Sequence, residues 1–213
     1  NMLPEVMTEA RNDAIVATGV SEAVYMASYA ADFHEWVEGV VIKMSPVTFS
    51  HSELTNYLYI LLRTFLQLRP LGRVVSAPFV MKASGEARRR EPDLQVVLNS
   101  NPGQLTETAM LGAADICIEV VSEGSAETDY GTKFGEYERD GVQEYWLFDP
   151  LRRDYRFFRL NEAHIYQSQT VGSDGSYTTP LLPGLKVHVP TLWQSPLPDP
   201  IQTVAAVQTM VTG

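Results

Sequence analysis

The apolar positions in the first half of the chain are spaced as on one face of an amphipathic helix. The stripe consists of Leu54, Tyr57, Leu58, Leu61, Leu62 and Phe65. Positions three and four residues apart fall on one side of a helix with 3.6 residues per turn. Ser50 and Glu53, just before the stripe, form a capping-box pattern that satisfies backbone N–H groups at a helix start. The sequence therefore predicts a helix that begins at Ser50 and ends near Pro70.

Shorter apolar runs bounded by turn residues predict the remaining elements. They are a helix over residues 21–34, a hairpin over 35–44 around Glu38-Gly39, strands over 73–82, 94–98, 115–121 and 143–148, a turn over 83–85, a helix over 127–140 that ends at Gly141, and a strand pair over 153–160 and 163–169. Over residues 50–148 the order is helix, strand, strand, strand, helix, strand. This order predicts an α/β or α+β fold with a mixed central sheet covered by helices.

The length and composition favour one folded domain with peripheral ends. With 213 residues, 45% of them apolar, the chain can bury one substantial core. We expect a single domain over residues 21–194, preceded by an N-terminal extension over 1–20 without sustained periodicity. Residues 195–213 carry three prolines near their start and are expected to form a peripheral tail.

Several classes of protein are excluded by what the sequence lacks. No uncharged apolar run approaches the ~18 residues of a membrane helix, and the N-terminus has no signal-peptide layout, so we expect a cytoplasmic protein with no membrane partner. The single cysteine, Cys117, lies in an apolar run, which excludes disulfide scaffolds and zinc sites built on cysteine. Glycine-rich phosphate loops and serine-hydrolase motifs are absent, so no nucleotide cofactor is expected.

The net charge of −10 has the wrong sign for a protein that binds nucleic acid mainly through phosphate contacts. Nucleic-acid binding must then depend on local basic patches. One candidate patch comprises Arg73, Lys82, Arg88, Arg89 and Arg90, and a second comprises Arg152, Arg153, Arg156 and Arg159. Solvated strand edges and loops explain each patch equally well.

Three ionisable residues lie at the ends of apolar strands or near the start of a helix, and together they suggest chemistry. Asp93 and Glu119 belong to neighbouring predicted strands, whose carboxylates can share a magnesium ion through oxygen ligands. Lys133 beside such an ion could orient a water or neutralise charge on a phosphate. Taken singly, Asp93 is equally consistent with a strand start, Glu119 with an arginine pair, and Lys133 with a solvated helix face.

An ordered set of residues carries a resemblance to a known family. The set is Glu35, Glu38-Gly39, Met44-Ser45-Pro46, His51, Pro92-Asp93, Glu119 with Ser122, Asp129 with Lys133, Tyr137, Gly141-Val142, Glu144-Tyr145-Trp146 and Asp149-Pro150. In order and spacing, over about residues 21–190, it resembles the Uma-type putative restriction endonuclease family, a domain family of unknown function. That family belongs to the PD-(D/E)XK nuclease superfamily, whose core order of helix, three strands, helix and strand agrees with the order predicted above.

The resemblance implies a restriction-endonuclease-like fold and a DNA endonuclease that uses Mg²⁺ or Mn²⁺. It implies that Asp93 and Glu119 bind the metal, that Lys133 is the catalytic lysine, and that Glu35 and His51 line the same site. Most of the superfamily has the lysine two residues after the glutamate, where this chain has Val121. Glu35 and His51 are equally consistent with a surface glutamate and a helix-terminal histidine.

Two hypotheses of function follow. The first is a metal-dependent DNA phosphodiesterase, for which a homodimer with two symmetric sites would suit the cutting of two strands. The second is a non-catalytic interaction or binding protein that retains the nuclease fold. The net charge of −10 favours the second, as does Glu123, which departs from the family pattern and adds negative charge near the expected path of a phosphodiester.

Overall fold

The computed structural model describes residues 14–83 and 87–212. The helices are α1 (Glu22–Ser28), α2 (Phe49–Leu68), a π-helical turn (Thr128–Thr132) that continues into α3 (Lys133–Asp140), α4 (Val189–Leu192) and α5 (Pro200–Thr212). The strands are β1 (Ile15–Ala17), β2 (His34–Val37), β3 (Val40–Lys43), β4 (Gly72–Ser76), β5 (Val80–Lys82), β6 (Arg88–Arg89), β7 (Leu94–Leu98), β8 (Gln104–Leu105), β9 (Ala109–Leu111), β10 (Ile116–Val120), β11 (Glu144–Asp149), β12 (Asp154–Leu160), β13 (Tyr166–Ser168), β14 (Ser176–Tyr177) and β15 (Val187–His188).

A six-stranded mixed sheet forms the centre of the fold, in the order β13-β12-β11-β10-β7-β4. Strands β10 and β11 run parallel, and the other neighbours are antiparallel. The predicted α/β fold with a mixed sheet is therefore confirmed. Because β7 and β10 are antiparallel, the start of β7 lies beside the end of β10, which brings Asp93 and Glu119 to the same edge of the sheet.

The two faces of this sheet bury different clusters. Ile116, Ile118 and Val120 of β10 pack with the apolar stripe of α2, whereas Cys117 and Val121 pack with Tyr137 of α3. Side chains alternate between the faces of a strand. Glu119 therefore points to the α3 side, where Lys133 lies.

Helix α2 begins earlier than the capping-box pattern predicts. Its N-cap is Thr48, whose Oγ1 accepts a hydrogen bond from the backbone N–H of His51 at 3.2 Å. The Ser50 hydroxyl lies 3.1 Å from Thr48 Oγ1 and is already within the first turn. The predicted cap at Ser50 is thus wrong by two residues, because Thr and Ser can both cap a helix and the sequence offers both within one turn.

The predicted hairpin over residues 35–44 is confirmed as β2 and β3. Its turn residues Glu38 and Gly39 have φ values of 49° and 85°, the left-handed region that a two-residue hairpin turn requires. The hairpin extends into a second sheet in the order β1-β3-β2-β6. This small sheet carries Glu35 toward the edge of the central sheet where Asp93 and Glu119 lie.

Other predicted boundaries are corrected by the structure. The strand expected over residues 73–82 consists of two strands, β4 and β5, which belong to different sheets. Pro78 lies between them and interrupts the strand, because proline has no backbone N–H to donate to a strand ladder. The helix expected over 21–34 ends at Ser28, and His34 begins β2. The turn expected at 83–85 falls mainly on Ser84 and Gly85, which lie outside the described residues.

The last segment of the chain packs on the core, which contradicts the expectation that it is peripheral. Within residues 195–213, α5 buries Val207 completely, in the same cluster as the apolar stripe of α2. Thr203 of this helix is also buried. Small apolar residues in the helix supply this face, a pattern that the prolines before it obscure in the sequence.

In the part of the chain that the structure describes, no helix combines the length and the apolar content needed to cross a bilayer.

Replacement of Leu58 by Ala tests the packing of α2 on the sheet. Leu58 is fully buried, so we expect Leu58→Ala to lower the free energy of unfolding by about 2–5 kcal/mol, because the lost methyl groups leave a cavity. Leu68→Ala in the same helix is the control: this leucine is exposed, and a change below about 1 kcal/mol is expected. Urea denaturation followed by circular dichroism measures both, and equal losses would contradict the assigned packing.

Candidate active site

Asp93 and Glu119 are held side by side by reciprocal backbone contacts. The backbone N–H of Val120 donates to Asp93 Oδ2 at 2.7 Å. In return, the backbone N–H of Asp93 lies 3.4 Å from Glu119 Oε2. Asp93 immediately precedes β7 and Glu119 is the fourth residue of β10. The pairing of these two strands therefore fixes the two carboxylates next to each other.

His51 reaches this pair from the first turn of α2. Its Nε2 lies 3.1 Å from Asp93 Oδ2. Because a carboxylate oxygen accepts, Nε2 donates in this contact when Asp93 is ionised. The other ring nitrogen, Nδ1, is buried and has no hydrogen-bond partner among the described residues. The Thr48 cap and the Asp93 contact together hold the ring against the carboxylate.

Lys133 turns back toward the sheet and inserts its ammonium among three carboxylates. Its Nζ lies 3.0 Å from Glu119 Oε1, 3.1 Å from Asp129 Oδ1 and 3.6 Å from Glu35 Oε1. Only 4% of Lys133 is exposed. Burial favours the neutral amine, but Asp129, Glu119 and Glu35 outweigh it and raise the pKa of Lys133 well above its usual range. The ammonium therefore stays charged.

The π-helical turn places Asp129 and Lys133 one turn apart on the same side of the helix. Tyr137, one turn further along, donates its hydroxyl to Glu119 Oε1 at 2.8 Å. Glu119 Oε1 thus accepts from both Lys133 and Tyr137, while its Oε2 has, among residues 14–83 and 87–212, only the long contact with the Asp93 backbone. One carboxylate oxygen of Glu119 is consequently less engaged than the other.

Glu35 connects the site to a buried arginine. Arg90 Nη1 donates to Glu35 Oε2 at 2.7 Å, and Arg90 also forms a two-point contact with Glu136 at 2.7 and 2.9 Å. Burial raises the pKa of Glu35, but Lys133 and Arg90 lower it more, to about 2. Glu35 is therefore an ionised carboxylate and not a surface glutamate.

Glu119 has the opposite balance of charge. Burial raises its pKa, Lys133 opposes this, and the neighbouring carboxylates Asp129 and Asp93 add to the rise, so that the pKa of Glu119 is about 8. The site holds more carboxylates than its two buried cations, Lys133 and Arg90, can neutralise. A further positive charge beside Glu119 would favour its ionised form.

The five residues proposed from the sequence line one cavity of about 180 Å³. They are Glu35, His51, Asp93, Glu119 and Lys133. The loop of residues 122–125 and the segment of residues 43–47 complete its walls. The structure thus brings these five residues together, and their chemical roles stay predictions.

Asp129, Arg90 and Glu136 also belong to this arrangement and were given no role from the sequence. Asp129 and Lys133 are four residues apart, a spacing that signals a helical ion pair. Arg90 and Glu136 have no local signal, because nothing in the run Arg88-Arg89-Arg90 indicates that its first and last arginines are buried against a distant helix.

The donor set fits a hard divalent cation. Among the described residues, no group of three or more His, Cys, Asp and Glu side chains is arranged to hold a metal ion. Asp93 and Glu119 provide two adjacent carboxylates in a cavity, and cations such as Mg²⁺ keep several waters and take substrate phosphate as the remaining ligands. Two protein carboxylates are sufficient for a site of that kind.

The basic patches suggested by the sequence are largely occupied by ion pairs. Arg89 and Lys82 both contact Glu22, and Arg90 is buried in the site. In the second patch, Arg152, Arg156 and Arg159 contact Asp149, Asp154 and Glu144. Neither patch presents a continuous row of free cations to a phosphate backbone.

Comparison with known proteins gives two informative matches. A family model described as "Uma2: Putative restriction endonuclease" matches residues 24–190. A solved structure, described as a putative nuclease belonging to DUF820 from Anabaena variabilis ATCC 29413, superposes with a TM-score of 0.62 at 17% identity and covers 75% of this chain and 89% of its own. At this identity the likeness shows that the fold is shared. No curated protein matches the chain.

Replacement of Arg90 by Met tests the buried ion-pair network. We expect Arg90→Met to lower the free energy of unfolding by about 3–5 kcal/mol, because Glu35 and Glu136 would remain buried without their partner. Arg156→Met is the control, since this arginine is largely exposed and pairs with Asp154 at the surface; its effect should be below about 1 kcal/mol. Chemical denaturation distinguishes the two, and a stable Arg90→Met protein would show that the network contributes little.

Proposed function

The chain belongs to the Uma2 family of putative restriction endonucleases, and from this premise we propose that it is an Mg²⁺- or Mn²⁺-dependent endonuclease that hydrolyses DNA phosphodiester bonds. The observation that carries the proposal is the convergence of Asp93, Glu119 and Lys133 in one cavity at the edge of the central sheet. Two adjacent carboxylates can hold a divalent cation, and a lysine beside them can neutralise charge that develops on a phosphate, so the arrangement suits phosphodiester hydrolysis.

Asp93 and Glu119 would hold the divalent cation. When bound, such an ion supplies Lewis-acid chemistry, since it polarises a phosphodiester and lowers the pKa of a water. The Asp93 carboxylate is oriented for this by Val120 N–H and by His51. His51 is thus a positioning residue, which limits the rotation of Asp93.

Lys133 would stabilise the negative charge that develops on the phosphate oxygens as the bond to the leaving group breaks. Its ammonium is already desolvated and held by Glu119 and Asp129, so little reorganisation is needed when the substrate arrives. Tyr137 supports the same oxygen of Glu119 that holds the lysine. Glu35, which is itself held by Arg90, contacts the ammonium from the hairpin side.

A second candidate function is a non-catalytic interaction module with the nuclease fold. The observation that favours it is the position of Glu123 and Glu127, two exposed carboxylates on the wall of the cavity. They repel a phosphodiester as it approaches.

A homodimer with two symmetric sites belongs to the nuclease proposal and would let the two copies cut the two strands of one DNA.

Removal of the Asp93 carboxylate tests the metal site. We expect Asp93→Asn to abolish Mg²⁺ and Mn²⁺ binding measured by calorimetry and the metal-dependent nicking of a plasmid, while the circular dichroism spectrum is unchanged. The reason is that the neutral amide keeps the shape of the side chain and loses its charge. Asp32→Asn, at an exposed carboxylate outside the cavity, should leave both unchanged. Wild-type levels of binding and nicking in Asp93→Asn would contradict the proposal, and a folded wild type with neither activity would favour the interaction module.

Replacement of Lys133 separates catalysis from metal binding. We expect Lys133→Met to reduce the single-turnover rate of DNA cleavage by about 10²–10³-fold, since one preorganised charge toward the phosphate is lost. Mg²⁺ binding by calorimetry should be retained, because Asp93 and Glu119 keep their carboxylates. Lys186→Met, at an exposed lysine that does not line the cavity, is the matched control. Cleavage by Lys133→Met at the wild-type rate would remove the lysine from the mechanism.

A further inference from the structure

One oxygen of the Glu119 carboxylate is saturated with hydrogen bonds, and the other is not. Oε1 accepts from Lys133 Nζ at 3.0 Å and from the Tyr137 hydroxyl at 2.8 Å. A carboxylate oxygen offers about two lone-pair directions to donors, so these two donors occupy Oε1 fully. Oε2 keeps a free direction, because its contact in the described part of the chain is the Asp93 backbone N–H at 3.4 Å. Glu119 therefore offers one oxygen to a cation.

The Asp93 carboxylate has the same asymmetry. Its Oδ2 accepts from the Val120 backbone N–H at 2.7 Å and lies 3.1 Å from His51 Nε2. Within residues 14–83 and 87–212, no hydrogen bond is made to its Oδ1. Asp93 and Glu119 both line the cavity. The cavity thus presents two single oxygens, Asp93 Oδ1 and Glu119 Oε2, and not two open carboxylates.

The donors to the two saturated oxygens are hard to displace. Tyr137 and His51 are only 0% and 6% exposed. A hydroxyl or ring N–H that lost its acceptor there would lie away from solvent, and an unsatisfied buried donor is costly. Lys133 and Val120 are buried as well, and the N–H of Val120 is fixed by strand β10. Two donors therefore oppose the rotation of each carboxylate that would bring both of its oxygens to one ion.

Divalent cations differ in how many oxygens they take from one carboxylate. Ca²⁺ accepts both oxygens and tolerates irregular arrangements of up to about eight ligands, whereas Mg²⁺ requires a near-octahedral arrangement at about 2.1 Å and keeps several waters. Mn²⁺ shares the octahedral oxygen environment of Mg²⁺. Two single oxygens suit Mg²⁺ and Mn²⁺, and they leave the other positions of the ion to water and to a phosphate oxygen.

Resting on the metal-dependent function proposed above, we propose that Tyr137 is a specificity-determining residue, which makes the cavity select Mg²⁺ and Mn²⁺ over Ca²⁺ by leaving Glu119 one free oxygen. His51 has the same role for Asp93. Both are positioning residues, since each acts on the ion through a carboxylate. Tyr137 is the more diagnostic of the two because its phenol is neutral, so its removal frees Glu119 without changing the charge of the cavity.

Calorimetric titration with Mn²⁺, Mg²⁺ and Ca²⁺ in the absence of DNA tests this selection. We expect the wild type to bind Mn²⁺ at least about tenfold more tightly than Ca²⁺. Tyr137→Phe keeps the ring and removes the hydroxyl donor. It should weaken Mn²⁺ and Mg²⁺ binding about tenfold and Ca²⁺ binding less than about threefold, because Ca²⁺ can use the released second oxygen of Glu119.

Tyr166→Phe is the matched control, because the Tyr166 hydroxyl is also buried but donates to the Val142 carbonyl at 2.8 Å, and Tyr166 does not line the cavity. It should leave the ratio of the Mn²⁺ and Ca²⁺ affinities unchanged. Equal losses for the two ions in Tyr137→Phe would show that its hydrogen bond is structural and would overturn the proposal. A wild type that binds none of the ions, or that does not prefer Mn²⁺ to Ca²⁺, overturns it too.

His51→Phe gives a second, independent variant in case Tyr137→Phe does not fold. It removes the side-chain donor to Asp93 Oδ2 and is expected to shift the affinity ratio toward Ca²⁺ in the same way. An unchanged ratio in folded His51→Phe would contradict the selection that we assign to this carboxylate.

Plasmid cleavage by the same variants distinguishes this inference from the nuclease proposal. Selection of Mn²⁺ over Ca²⁺ that depends on Tyr137, without cleavage in the presence of any of the ions, would refute the nuclease activity and leave the metal selection standing. Cleavage by the wild type with Mg²⁺, together with an unchanged affinity ratio in Tyr137→Phe, would instead support the nuclease and overturn the selection.

Discussion

The buried ammonium of Lys133 is the interaction on which the site depends. It joins three parts of the fold that are distant in sequence, since Glu119 belongs to β10, Asp129 to the π-helical turn and Glu35 to the hairpin strand β2. Desolvation of a lysine is costly unless several opposite charges surround it. The three carboxylates meet this requirement only if the helix, the sheet edge and the hairpin adopt one relative arrangement. The contacts of Lys133 therefore fix the position of the small sheet against the central one, and under the proposed function the same contacts would position the lysine for catalysis.

The charge balance of the site follows from this arrangement. Lys133 and Arg90 together contact four carboxylates, those of Glu35, Glu119, Asp129 and Glu136. The pKa of Glu119 rises to about 8 because burial and its acidic neighbours outweigh the lysine. Glu35, which faces both cations, has a pKa of about 2. The acidic cluster thus has two parts. The charge of Glu35 is neutralised by Lys133 and Arg90, whereas the negative charge around Glu119 and Asp93 is not fully neutralised. Under the proposed function, a divalent cation would complement the part beside Asp93.

Local patterns predicted the elements whose formation depends on neighbouring residues. The Glu38-Gly39 hairpin, the stripe of α2, the buried strand around Cys117 and the end of α3 at Gly141 all agree with the structure. The helix start at Ser50 was wrong because a second capping residue, Thr48, lies two positions earlier. The single strand over 73–82 and the peripheral tail were wrong because a change of sheet and the packing of a helix on the core are decided by distant contacts. Asp93, Glu119 and Lys133 could be proposed from their positions and a family resemblance, whereas Arg90 and Glu136 could not, because burial of an arginine against another element leaves no periodic signal.

The sequence by itself determined the mixed α/β core, the alternation that points Glu119 and Cys117 to one face of β10, and the presence of two carboxylates and a lysine in the right order. The tertiary structure alone decided that these groups meet. The antiparallel pairing of β7 with β10 sets Asp93 beside Glu119, and the π-helical turn directs Lys133 back to them. It also decided that most arginines of the basic patches form ion pairs within the protein. The physical reason is that composition and spacing specify which charges a chain carries, but only packing determines which of them lose their water and which partners they find.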